Sequence, residues 1–372
     1  MRTRLRFHWS LSQAGDPSRR ARSLDQQSGV PPLAYQIELC RTAEHCGIDS
    51  MLMAIGYTRP DPLVLSIALG ARTSRIRFMI ACRSGLITPT YFVQQINTAS
   101  TLLPGRICIN MVCGHTPHEL GYYGDFLEHD ERYVRTAEFL AICRDLWTRP
   151  EPVTVDGRYY RIEDACVRTP MLAERGDRPE IFVGGNSPQA EDLAAEYGDC
   201  LWRFPDSDVV LAPRVRRVVD RGAEVGLLVS LICRPTRTEA ADAAGALVGR
   251  FGAETRDVHR QFAANSDSTG FRAVYAAAAS PSTAWLSRTL WTGAVPFLGA
   301  PAIALVGSYA EIAEAILGYR EMGVTQFLFV GWPDVSEMQH FAAGVKPLLG
   351  EAAGQAGSPA PAGIGPAGSL TR

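Results

Sequence analysis

Eight short apolar runs, separated by helix-like stretches, constrain this chain more than any other feature. The strand candidates are Leu5–Leu11, Ser50–Ala54, Ile76–Ile80, Arg106–Val112, Glu180–Val183, Asp199–Trp202, Leu228–Cys233 and Thr325–Val330. Helical patterns lie between them at Leu33–His45, Pro62–Arg72, Pro89–Leu103, Asp130–Trp147, Pro188–Tyr197, Ser207–Glu224, Thr238–Arg250 and Tyr309–Met322. Strands that alternate with helices build a parallel sheet, because parallel neighbours need a long crossover between them. Eight such repeats closing on themselves form an α/β TIM (β/α)8 barrel, with functional side chains at the C-terminal strand ends. A doubly wound open sheet has the same periodicity, so periodicity alone leaves both open.

The 372 residues suffice for one large barrel or two ordinary domains. The reading taken is a single barrel domain over 1–349. Insertions fall at about 114–127, 149–179 and 251–302, and a Gly/Ala/Pro-rich tail over 350–372 is expected to be disordered. Net charge is −2, with scattered arginines and Lys346 as the only lysine, which argues against nucleic acid or an anionic membrane as partner. Nine cysteines without CxxC spacing suggest neither a metal site nor a disulfide framework. There is no apolar run of about 20 residues and no secretory h-region, so a cytoplasmic location is expected.

Three motifs carry chemistry. Asn110 ends the fourth strand candidate, where an amide can bond a cofactor edge or simply a loop backbone. His129-Asp130-Glu131-Arg132-Tyr133 opens a helix, with Asp130 as the expected N-cap, and a helix N-terminus favours a nearby phosphate. Val183-Gly184-Gly185-Asn186-Ser187-Pro188 joins a strand to a helix, with glycines for close approach and Ser187 as a cap. Each motif alone also suits an ordinary turn or capped helix.

Together, and in this order, they resemble the bacterial-luciferase-like flavin monooxygenases, most closely the two-component FMNH2-dependent alkanesulfonate monooxygenases. The resemblance runs from about Leu5 to Leu349 and includes Leu290-Trp291-Thr292-Gly293 and Ala304-Leu305-Val306-Gly307. It decides for the barrel over the open sheet. It implies reduced FMN as cofactor and O2 as co-substrate, with an NAD(P)H:flavin reductase as partner and a homodimer or homotetramer as assembly. It also implies a flavin-binding set of Ala81, Asn110, His129, Tyr133, Gly184, Gly185, Asn186 and Ser187. Within 251–302, Ser266-Asp267-Ser268-Thr269-Gly270-Phe271-Arg272 takes the place of a mobile loop that closes over the flavin.

The substrate side departs from that pattern. Arg59 stands where the sulfonate enzymes have a Cys, Leu228 and Ser230 stand for an Arg and a His, Leu298 for an Arg, and Asp334 for a His. Arginine forks suit sulfonate oxygens, so their loss disfavours a sulfonate head group. Ser230, Arg59, Asp334 and His129 are the expected catalytic residues. Trp9, Tyr57, Phe297, Leu298 and Trp332 are the expected pocket walls, although Leu228, Leu298 and Trp332 also suit plain core packing. The expected activity is therefore a monooxygenase acting on a small organic substrate other than a simple alkanesulfonate. Three rivals stand beside it: a deazaflavin (F420)-dependent oxidoreductase, an alkanesulfonate monooxygenase after all, and a non-catalytic flavin-binding protein.

Overall fold

The structure, a computed structural model, describes residues 4–11, 32–279, 284–331 and 334–352. The chain opens with β1 (Arg6–Ser10), α1 (Leu33–His45), β2 (Ser50–Met53), α2 (Pro62–Gly70), β3 (Arg77–Cys82), α3 (Pro89–Leu102) and β4 (Ile107–Met111). Next come α4 (Pro117–Tyr122), α5 (His129–Thr148), β5 (Val153–Asp156) and β6 (Arg161–Ala165). Then follow β7 (Glu180–Gly184), α6 (Pro188–Tyr197), β8 (Cys200–Arg203), α7 (Asp208–Val219), β9 (Glu224–Arg234) and α8 (Arg237–Val248). The rest holds α9 (Ala253–Ala264), α10 (Thr269–Ala278), β10 (Leu290–Trp291), α11 (Val295–Leu298) and β11 (Ala304–Ser308). It ends with α12 (Tyr309–Glu321), β12 (Val324–Gly331), α13 (Asp334–His340) and α14 (Lys346–Ala352).

Eight parallel strands close a ring in the order β1-β2-β3-β4-β7-β8-β9-β12, and β12 pairs back onto β1. This is the TIM barrel, not the open sheet. The insertions carry structure of their own: α4 in the first, the antiparallel β5–β6 hairpin in the second, and α9 to α11 with β10 in the third. The expected tail lies outside the described residues from 353 onward.

One strand was placed too late by the sequence pattern. α7 stops at Val219, Gly222 turns the chain at φ 95°, and β9 starts at Glu224 rather than Leu228. The first residues of β9 pair with β8 in the barrel wall, while Ser230 to Arg234 pair with β11, outside the ring.

Strand parity fills the interior in layers. Arg6, Arg77 and Glu180 form ion pairs at the base, with Arg77 to Glu180 at 2.8 Å. Above them His8 lies between Ser50 Oγ at 2.7 Å and Gln326 Oε1 at 2.9 Å. Phe182 and Trp202 stack at 5.3 Å in the same barrel core. Gly226 makes room for that indole, since a Cβ there would lie 2.1 Å from Trp202. Trp9 has the opposite parity to His8. It is fully buried against Phe329, outside the ring, and is no pocket wall as the sequence had suggested.

Eight of the nine cysteines are buried and all are free, with Cys166 exposed. Among the described residues no helix is long and apolar enough to cross a membrane.

Candidate active site

A cavity of about 260 Å³ sits over the C-terminal ends of the barrel strands. Its floor is the top layer of the barrel interior: Leu52, Ala81, Trp202, Leu228 and Leu328. Asn110, Gly184, Gly185 and Asn186 form one wall, next to His129 and Tyr133 from the first turns of α5. Ser268, Thr269 and Phe271, at the start of α10, cover it. The side towards β2 and β3 is made by Ala54, Ile55, Arg83 and His115.

Three helix N-termini meet here, and backbone N–H groups at such ends attract anions. α6 is capped by Ser187, whose Oγ accepts from Ala190 N at 3.2 Å. α10 is capped by Ser268 in the same way. The cap of α5 departs from expectation: Glu128 holds the N-cap position and makes no side-chain bond. Asp130 instead sits in the first turn, 2.7 Å from His129 Nδ1.

Tyr133 is buried, and that burial pushes its phenol pKa up, while a hydrogen bond with Ser187 opposes the shift. A Cβ on Gly185 would lie 2.8 Å from the Tyr133 hydroxyl and 2.6 Å from Ala190 Cβ, so only glycine allows this approach. Asn186 Oδ1 accepts from Phe204 N at 3.0 Å, which ties the loop after β7 to the loop after β8.

These residues fit a phosphorylated flavin. Asn110 Oδ1 is a buried acceptor without a partner, opposite Ala81 in the β3–β4 register. Arg203 is almost wholly buried at the cavity edge and bonds Glu191 at 3.2 Å, while its Nε has no partner. Burial lowers its pKa. Unpaired polar groups of this kind are costly in a closed site and are met by a bound polar molecule.

The structure brings Ala81, Asn110, His129, Tyr133, Gly184, Gly185 and Asn186 to one cavity, with Ser187 directly behind Tyr133. It places Ser230, Phe297, Leu298, Tyr57 and Arg59 away from that cavity. Ser230 Oγ is buried and donates to Pro301 O at 2.8 Å, where one edge of β9 takes β11 as its neighbour. Phe297 and Leu298 are buried in a satellite core with Trp291, Ile232 and Val306. α11 packs against α9 and α10, and its buried side chains share this core with residues of α8 and β11. Tyr57 is 50% exposed and meets Tyr122 edge-on. Arg59 closes a turn onto Gly56 O and does not line the cavity. Trp332 and the side chain of Asp334 lie outside the described residues.

Several cavity residues escaped the sequence reading. Arg83 follows the end of β3, and ending that strand at Ile80 hid its position. Its place two residues beyond Ala81 on the same strand face was the available signal. His115 is half-buried and stacks on Phe271 at 4.3 Å. Burial holds its imidazole neutral, with a pKa of about 4. Arg132 donates to Cys113 O, Leu127 O and Asp267 Oδ2, and so ties α5 to the segment that covers the cavity.

The family model for luciferase-like monooxygenases matches residues 5–326. Among solved structures, long-chain alkane monooxygenase (LadA) has a TM-score of 0.75 at 18% identity, covering 95% of this chain and 92% of that one. EDTA monooxygenase (EmoA) from Chelativorans sp. BNC1 has a TM-score of 0.68 at 18% identity, covering 94% of each. An F420-dependent secondary alcohol dehydrogenase, in complex with an F420–acetone adduct, has a TM-score of 0.64 at 17% identity, covering 93% and 99%. Identities this low speak for the fold alone.

Proposed function

The chain belongs to the luciferase-like monooxygenase family, and from that premise we propose an FMNH2- and O2-dependent monooxygenase acting on a small, largely apolar organic substrate. A separate NAD(P)H:flavin reductase supplies the reduced flavin. The observation that carries this reading is the cavity itself, which joins three helix N-termini and an unpartnered Asn110 to an apolar barrel floor.

In this reading Tyr133, Ser187 and the N-terminus of α6 hold the phosphate. Asn110 takes a polar edge of the ring, and Gly184 and Gly185 let it lie close to the backbone. Reduced FMN, when bound, supplies the electrons that activate O2. The protein orients the substrate and keeps bulk water out. Leu52, Leu228 and Leu328 offer no hydrogen bonds to water from below, and Phe271 shields the mouth. Leu228 on the floor provides no cation for a sulfonate.

Anaerobic titration with FMNH2, followed by mixing with O2, tests the reading. The expected result is tighter binding of reduced than of oxidised FMN or FAD, then oxygen uptake coupled to substrate oxidation. Hydride transfer from reduced F420 without oxygen would overturn it in favour of the oxidoreductase. Flavin binding with no product under O2 would mark a non-catalytic protein.

A further inference from the structure

Arg83 is only 6% exposed and lines the cavity, yet just one of its nitrogens is engaged. Nη2 donates to Glu119 Oε1 at 2.9 Å, while Nε and Nη1 are buried without a partner. We propose that Arg83 is a specificity-determining residue that donates to a neutral acceptor oxygen, a carbonyl, on the organic substrate.

Three observations carry this. First, Arg83 is on the substrate side. The phosphate cradle is built on β7, α5 and α6, whereas Arg83 follows β3 beside Ala54 and Ile55. Second, Glu119 already balances the guanidinium charge. An anionic head group would meet a neutral pair with a carboxylate beside it, whereas a carbonyl uses the free N–H groups without opposing that carboxylate. Third, the neighbouring floor and wall are Leu52, Ala54 and Ile55, which suit an apolar body behind the polar oxygen. A buried donor pair beside apolar walls discriminates against analogues that lack the acceptor.

Arg83 sets specificity only if this cavity is the oxygenation site, so its role rests on the flavin reading. Binding, not turnover, is therefore the readout, and FMN binding is measured separately. The probes are 2-octanone, octanoate and octane, titrated anaerobically into the full-length protein with FMNH2 present. The expected order places 2-octanone about ten-fold tighter than octane or octanoate, the size of one well-made hydrogen bond. Arg83→Met should erase the ketone preference, and Arg83→Lys should retain part of it. Glu119→Gln should leave the ketone bound and improve octanoate, because it leaves the cation unbalanced. If Arg83→Met does not fold, the Lys and Gln variants carry the test. The proposal is overturned if the unaltered protein shows no ketone preference up to the solubility limit. It is equally overturned if the Arg83 variants weaken FMNH2 binding and leave the ketone unaffected, which would assign the guanidinium to the flavin.

Discussion

Asp267 Oδ2 lies 2.6 Å from Nη2 of Arg132, a bond that spans 135 positions of sequence and closes the third insertion onto α5. Arg132 is almost fully buried, and its other donors hold Cys113 O and Leu127 O. Asp267 N in turn donates to His115 O at 2.9 Å. The segment that covers the cavity is thus latched by this ion pair and by the Asp267 backbone. Asp267→Ala should cost about 2 kcal/mol, because it strands a buried guanidinium donor. Limited proteolysis should then cut between Asn265 and Arg272 faster than in the unaltered protein, with protection restored by FMNH2. Unchanged cleavage would show that the latch is not what holds this segment.

The proposed phosphate cradle gives a second expectation. In a Tyr133→Phe/Ser187→Ala variant, FMNH2 affinity should fall by roughly 1.5–3 kcal/mol, the range for hydrogen bonds to a charged group. Fluorescence or absorbance titration under argon reads this directly. Equal affinity in the two proteins would remove both residues from the phosphate site.

Gly226 and Trp202 make a stability prediction. With only 2.1 Å between Trp202 and a Cβ at this position, Gly226→Ala should displace the indole and destabilise the barrel by about 1–3 kcal/mol. Trp202 also lines the cavity floor, so the same change should alter ligand binding. Chemical denaturation with tryptophan fluorescence measures the first effect.

Acid should weaken the fold before its carboxylates titrate. His115 is held neutral with a pKa of about 4 against an ordinary 6.5, and His8 is also driven well below its usual value by burial. The unfolded chain binds those protons first, so stability falls as pH drops from about 6.5 towards 4, by roughly 1.4 kcal/mol per pH unit for each imidazole. Carboxylates lowered by arginine, such as Glu180 and Asp125, add their loss only below about 4. His115→Gln should remove one proton's share of the slope between pH 4 and 6.5. Identical pH profiles for the two proteins would contradict a neutral His115.

The charge of the floor leads to the last expectation. Sulfite release from short alkanesulfonates, with a generic reductase supplying FMNH2, should stay near background, since a sulfonate entering an apolar pocket loses water without gaining a free cation. Efficient desulfonation would mean that Arg83 serves an anion after all.

Much of the barrel was legible because its strands are short apolar runs of fixed spacing, and α1 and α6 begin and end where their patterns do. The residues that meet at the cavity from β4, α5 and β7 were legible for a related reason: they sit at strand and helix ends, where sequence position fixes spatial position. The substrate side was not. Trp9 differs from His8 by one step of parity, and a list of aromatic residues carries no parity. Ser230 follows Leu228 on the same face, yet one edge of β9 exchanges β8 for β11 between Leu227 and Ser230, and nothing local in the run Leu227 to Cys233 marks that exchange. Phe297 and Leu298 were assigned to the pocket by correspondence with other chains, whereas their burial comes from the satellite core. Arg83 was overlooked because the end of β3 was drawn two residues short.

The stacked Phe182 and Trp202, resting on His8 and the ion-paired base, plug the barrel beneath the cavity. Nothing can drain through the bottom, so every ligand of this cavity must enter and leave on the side of the C-terminal strand ends.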